Sequence, residues 1–216
     1  MKECLNYKKI NSQTLQCRTC SHFCKIKEGK VGICGIRQNI KGKIYLLAYG
    51  KAIAAQIDPV EKKPLFHFLP GSSAYSIGTI GCNFRCGNCQ NYDISQMFEY
   101  KGRIENYVKL NWGYDLSPKQ IVSEALKNNC ASIAYTYNEP TVWLEYALDT
   151  MRQARKKGIK NIWVSNGFMS NETLDAIIPY LDAINIDIKS FDPVRNMPRS
   201  LLRLGKNLNN TRGRVS

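Results

Sequence analysis

Apolar positions from residue 74 onward fall into two alternating periods. Runs rich in β-branched and aromatic residues at 74–80, 131–137, 162–165 and 183–189 read as strands. Between them, apolar residues recur at helical spacing: Ile121, Val122, Ala125 and Leu126, then Leu144, Ala147, Leu148, Met151 and Ala154, then Leu174, Ile177, Ile178 and Leu181. Ser117-Pro118-Lys119-Gln120 has the form of a helix start, with serine as N-cap, proline at the first helical position and glutamine at N3 as in a capping box. Pro140 opens the second helix and Gly158 closes it. Strands alternating with amphipathic helices predict an α/β fold with a parallel sheet and right-handed crossovers.

The flanks differ. Residues 1 to about 40 are rich in Cys, Gly and Lys and show little hydrophobic period. A strand is expected over 43–50, ended by Gly50. A second apolar run, 52–57, stops at Asp58-Pro59, and 61–71 is linker-like with two prolines. After Ser190-Phe191 the regularity fails, and no fifth or sixth strand can be read. The expected division is 1–70 as a Cys-rich N-terminal module and linker, 71–191 as the core and 192–216 as a basic irregular tail.

Composition narrows the setting. The first nine residues carry no apolar signal-peptide core, and no apolar stretch approaches the roughly 20 residues of a membrane span. Nine cysteines, an odd number in clustered spacing, favour metal binding in a reducing cytoplasm over a disulfide framework. The net charge of +14 is partly local, since Arg195, Arg199, Arg203, Lys206, Arg212 and Arg214 face only Asp192 in the tail. Such charge attracts nucleic acid or an acidic protein such as a small electron donor. No groove-binding or single-strand-binding motif accompanies it, so the acidic protein is the stronger expectation.

The chemistry concentrates in Cys82, Cys86 and Cys89, a C-x3-C-x2-C loop directly after the first core strand. Three thiolates can hold three irons of a [4Fe–4S] cluster and leave the fourth open. A zinc loop or three buried thiols is the plainer alternative. In a β/α barrel, reactive groups gather where strands end. The next strands end in Tyr137-Asn138-Glu139-Pro140, in Ser165-Asn166-Gly167-Phe168, and in Asn185, Asp187 and Lys189 on one face opposite Ile184, Ile186 and Ile188. An interior Asp187–Lys189 pair is costly unless the two bind each other or a ligand. Glu139 alone could be a carboxylate interacting with a helix N-terminus.

A second set, Cys17, Cys20, Cys24 and Cys34, could close a zinc site or hold an auxiliary cluster. His22 inside it reads as a bystander and His67 as structural. Cys4 and Cys130 read as plain thiols.

The cysteine loop resembles the signature of the radical SAM superfamily. The resemblance implies a [4Fe–4S] cluster that binds S-adenosyl-L-methionine and reductively cleaves it to a 5′-deoxyadenosyl radical. Asn138 and Glu139 fall on the family's polar–Glu–Pro segment, with Glu139 placed to contact the amino group of that cofactor. Tyr137 and Asn138 stand where glycines are usual, and Asn88 stands where an aromatic residue is usual. Ser165, Asn166, Asp187 and Lys189 match positions that contact cofactor or substrate in enzymes resembling the pyruvate formate-lyase activating enzyme. As a set, segments 17–37, 61–71, 82–92, 137–140, 165–167 and 187–190 look like the AmmeMemoRadiSam-system radical SAM proteins.

That resemblance implies a partial parallel β/α (TIM-like) barrel with a small Cys-rich N-terminal module. Its substrate would be an unknown protein or small molecule, and its electron donor an acidic flavodoxin or ferredoxin. Family members continue to about six strands, so a barrel truncated after the fourth strand, or a shifted reading frame, is expected here, with a bare sheet edge. The competing expectation is a non-catalytic zinc module that binds nucleic acid through the quartet and the basic tail.

Overall fold

The computed structural model describes residues 1–97 and 112–189. The expected irregular tail, 192–216, lies outside them. At the N-terminus, β1 (Lys2–Glu3), β2 (Tyr7–Lys9), β3 (Thr14–Cys17), β4 (Lys25–Lys27), β5 (Arg37–Ile40) and β6 (Lys43–Leu46) form two antiparallel sheets, ordered β1-β6-β5 and β2-β3-β4. A two-residue turn joins β5 to β6. Lys41 and Gly42 both take positive φ, 50° and 75°, the geometry whose twist matches a hairpin. These strands are short, and β5 buries polar side chains, Arg37 and Asn39, so its alternation is invisible to a hydrophobic count.

The main sheet follows the expected alternation. β7 (Lys51–Ala52) leads into β8 (Ala54–Pro59), then β9 (Ser73–Gly78). After α1 (Tyr92–Ser95), β10 (Tyr114–Asp115) pairs back on β7. Then come α2 (Pro118–Lys127), β11 (Ser132–Tyr135), α3 (Leu144–Lys156), β12 (Lys160–Ser165), α4 (Asn171–Ile177) and β13 (Ala183–Ile186). The sheet order is β13-β12-β11-β9-β8. β9, β11, β12 and β13 run parallel, and β8 adds an antiparallel edge from Ala54↔Gly78 to Pro59↔Ser73. Among the described residues the sheet is open, a partial barrel rather than a closed one.

Local chemistry sets the helix starts. Ser117 Oγ accepts the Gln120 N–H, and the Gln120 side chain accepts the Ser117 N–H, so the capping box forms as its residues require. Pro140 begins one 3-10 turn, Pro140–Trp143, before α3. The strand expected over 183–189 ends at Ile186. The Asp187 N–H still reaches Ser165 O at 2.8 Å, but Ile188 is 67% exposed.

The sheet's two faces have different partners. On the outer face, Tyr75, Ile77, Ile133, Tyr135 and Trp163 pack with the apolar stripes of α2, α3 and α4 in one core. Ile184 and Ile186 join that core. On the inner face, Ala74, Ala134 and Ile162 meet Val60, with Leu65, Phe68, Val164 and Ala183 around them. The proline-containing stretch after β8 thus lies against this inner face of the sheet.

Candidate functional site

Each strand end contributes one part of the site. After β9, Gly81 sits at φ +84°, and a Cβ there would stand 2.5 Å from Cys34 O, so only glycine lets the chain pass so close to the N-terminal module. The loop beyond carries the cysteines. Phe84 N–H points to Cys82 Sγ at 3.4 Å, and the Cys89 N–H bonds Cys86 O at 3.3 Å. Arg85 donates to Cys82 O at 2.9 Å and to Ile33 O at 2.5 Å, and His22 Nε2 stands 2.8 Å from Asn83 O. His22 thus contacts the cysteine loop, with Phe168 beside its ring at 4.8 Å.

After β11 the backbone turns sharply, with Tyr137 at φ +68°. A non-glycine residue there is strained by roughly 1–2 kcal/mol. Asn138 is consumed internally: its Oδ1 accepts from Thr79 N–H and Trp143 Nε1–H, and its Nδ2 donates to Gly81 O at 2.7 Å. It braces the root of the cysteine loop. Glu139 is 3% exposed. Its Oε1 accepts from Thr141 N–H and Ser165 O–H, and its Oε2 from Asn166 N–H at 2.8 Å. Among the described residues no cation pairs with it. Burial pushes its carboxyl above the ordinary 4.5, against the lowering effect of those donors.

After β12, Ser165 Oγ also accepts the Gly167 N–H at 3.0 Å. Asn166 Oδ1 accepts the Phe168 N–H, which leaves Asn166 Nδ2 to donate to Asn83 Oδ1 at 2.7 Å. Past β13, Asp187 and Lys189 bind each other at 3.0 Å with both side chains nearly half exposed. Burial lowers the Lys189 pKa, but the hydrogen bond and charge of Asp187 together with Cys86 and Cys89 carry it above its ordinary value.

These parts share one cleft of about 1100 Å³. Cys82, Cys86, Cys89, Asn138, Glu139, Ser165, Asn166, Asp187 and Lys189 all line it. Asn185 does not, and its buried Oδ1 has no partner among the described residues. Burial pushes the Cys82 thiol up to about 12, with the Glu139 charge adding to the rise. A thiol so protonated requires a strong cation to become a ligand. No three His, Cys, Asp or Glu groups among the described residues stand close enough to hold one metal ion. The donor set is three thiols on one loop, all lining the cleft. That suits a multi-iron cluster with one open iron better than a single closed ion.

The N-terminal quartet is largely buried. Cys17, Cys20 and Cys34 are 5–6% exposed, and Cys24 is half-buried beside Gly32. Burial raises the Cys24 thiol, the Cys20 thiol further, and the Cys34 thiol to about 11. Cys4, a plain thiol by sequence, lies in the same core. The Arg37 guanidinium and Glu145 carboxylate form a buried ion pair beside it, at 2.5 and 3.2 Å. Cys130 is a buried core thiol, and His67 is exposed.

Sequence reasoning missed Lys63, which lines the cleft, and the buried Asp58 behind it, which accepts from both Lys63 Nζ and the Tyr137 O–H. The available signal was an aspartate ending an apolar strand four and five residues before two lysines.

Residues 76–211 match the radical SAM superfamily. The chain is 42% identical over 193 residues to an uncharacterized protein of Methanocaldococcus jannaschii, covering 88% of this chain and 54% of that protein. It is 23% identical over 176 residues to a second uncharacterized protein of the same organism, covering 80% and 45%. The chain spans about half the length of these curated relatives. It belongs to the radical SAM superfamily, whose members use an iron–sulfur cluster and S-adenosylmethionine. No helix among the described residues is long and apolar enough to cross a membrane.

Proposed function

We propose that this chain carries the cofactor site of a radical SAM enzyme of the AmmeMemoRadiSam-system type. Cys82, Cys86 and Cys89 would hold a [4Fe–4S] cluster, and Glu139 the amino group of S-adenosylmethionine. One observation carries the reading: Glu139 is a buried carboxylate, supplied with three donors yet lacking a cation, in the same cleft as three thiols. Such a group is costly alone and becomes favourable when an ammonium joins it.

The bound cluster would supply the electron that breaks a carbon–sulfur bond of the sulfonium, giving methionine and a 5′-deoxyadenosyl radical that takes a hydrogen atom from the substrate. The chain's own residues orient and shield. Ser165 and the Asn166 N–H hold the Glu139 carboxylate in place. Asn166 joins it to the cysteine loop through Asn83, and Asn138 fixes that loop's root. Asp187 and Lys189 form the far wall. The electron donor is an acidic flavodoxin or ferredoxin drawn to a chain of net charge +14.

The test is anaerobic reconstitution with iron and sulfide, then dithionite and S-adenosylmethionine, with 5′-deoxyadenosine measured by chromatography. Formation by the wild type and its loss in Glu139→Ala support the reading. A reconstituted cluster that yields no 5′-deoxyadenosine contradicts it.

A further inference from the structure

The cleft floor holds a charge arrangement that the cofactor reading leaves unused. Lys63 is 3% exposed yet lines the cleft. Its Nζ donates to Asp58 Oδ2 at 2.7 Å and stands 4.8 Å from the centre of the Tyr137 ring. Asp58, also 3% exposed, accepts from Lys62 Nζ on Oδ1 and from the Tyr137 O–H on Oδ2, each at 2.7 Å. One carboxylate therefore serves two ammonium groups.

An ammonium has three donors. Among the described residues, the Lys63 ammonium hydrogen-bonds to Asp58 alone. Burial lowers its pKa, against the opposing pull of Asp58. Packing holds it in this position. Val60 on one side, and Leu65 and Phe68 on the other, press against Ala74, Ala134 and Ile162. The Lys63 N–H closes the intervening turn on Val60 O at 2.9 Å. Tyr137, at a strained φ of +68°, donates its phenol O–H to the same carboxylate. Strain of this kind persists where the surroundings over-determine it, as at ligand sites.

Asp187 pairs with Lys189, and Glu139 is engaged by three protein donors. The two lysines that share Asp58 both line the cleft, so the local positive charge there exceeds its one carboxylate.

We infer that this floor, with Lys63 and Lys62 as donors, binds an anionic group of the substrate, a carboxylate or a phosphate. Asp58 is the internal counter-charge that holds the two lysines ready. Charge-assisted bonds of this type are about twice as strong as neutral ones. The inference relies on the proposed function only for calling the cleft the reaction site, since anion binding needs no cluster.

Calorimetric titration of the full chain with inorganic phosphate, and separately with acetate, tests it and tells the two chemistries apart. Saturable binding of either anion is expected. Lys63→Met should weaken it by about tenfold, the effect of one charge-assisted bond. Asp58→Asn, which removes the competing internal anion, should tighten it by about threefold or more. This opposite sign is not expected of a merely structural cluster. No saturable binding, wild-type affinity in Lys63→Met, or no gain in Asp58→Asn each overturns the inference. If Lys63→Met does not fold by circular dichroism, the sign of the Asp58→Asn effect decides alone. Failure to load iron would remove the proposed function and leave this result standing, and the reverse also holds.

Discussion

The Asn166 side-chain amide donates to Asn83 Oδ1 at 2.7 Å, tying the end of β12 to the loop of three cysteines. The direction of this bond is fixed, because Asn166 Oδ1 is already taken by the Phe168 N–H. The same residue's backbone N–H holds Glu139. One asparagine thus sets the spacing between the thiols and the buried carboxylate. Asn166→Ala should keep the bond to Glu139 and lose the one to Asn83, at about 1 kcal/mol of stability. The expected outcome is retained iron with roughly tenfold weaker S-adenosylmethionine binding, read by calorimetry on reconstituted protein.

Glu139 gives a pH dependence with a definite sign. Its folded-state pKa is raised above the ordinary 4.5 by burial. The folded apo-protein therefore holds that proton more tightly than the unfolded chain does. The group's contribution to stability is fullest below 4.5 and is lost as pH rises through the raised value. A cationic ligand needs the ionised form, so S-adenosylmethionine should bind more tightly as pH rises through the same window. Titrations at a series of pH values check this, and Glu139→Gln should flatten the dependence.

Arg37 and Glu145 form an ion pair whose side chains are 2% and 0% exposed. Removing one partner leaves a buried charge, so Arg37→Met should cost about 3–5 kcal/mol. Arg37→Met combined with Glu145→Leu should be less damaging than either change alone. Some cost remains, because Glu145 also accepts the Leu5 N–H. Urea unfolding of the three variants measures the coupling.

At the surface, Ser117→Ala should remove the cap of α2 and cost about 1 kcal/mol. The capping box is complete in the fold, so thermal denaturation should shift without any change in iron binding.

The capping box illustrates what could be read from the sequence. Ser117, Pro118 and Gln120 act within one turn, so their geometry follows from their spacing. The four parallel strands were legible for the same reason, each being an apolar run bounded by turn residues. The cysteine trio and the polar strand ends could be placed on one sheet edge because parallel strands all end on the same side. The short N-terminal strands were not legible, because β5 buries Arg37 and Asn39 in place of apolar side chains. Nor was the floor. Asp58 and Lys63 are brought to Tyr137 by the fold of the chain across 79 residues, which no local pattern encodes. Nor was the contact of His22 with the cysteine loop, because its partner, Asn83 O, lies 61 residues away.

The most direct measurement is iron and sulfide content after anaerobic reconstitution, with the Cys82→Ala/Cys86→Ala/Cys89→Ala triple variant alongside. The account predicts that the variant loses about four irons per chain relative to the wild type. Equal iron in both, or zinc alone in both, would contradict it.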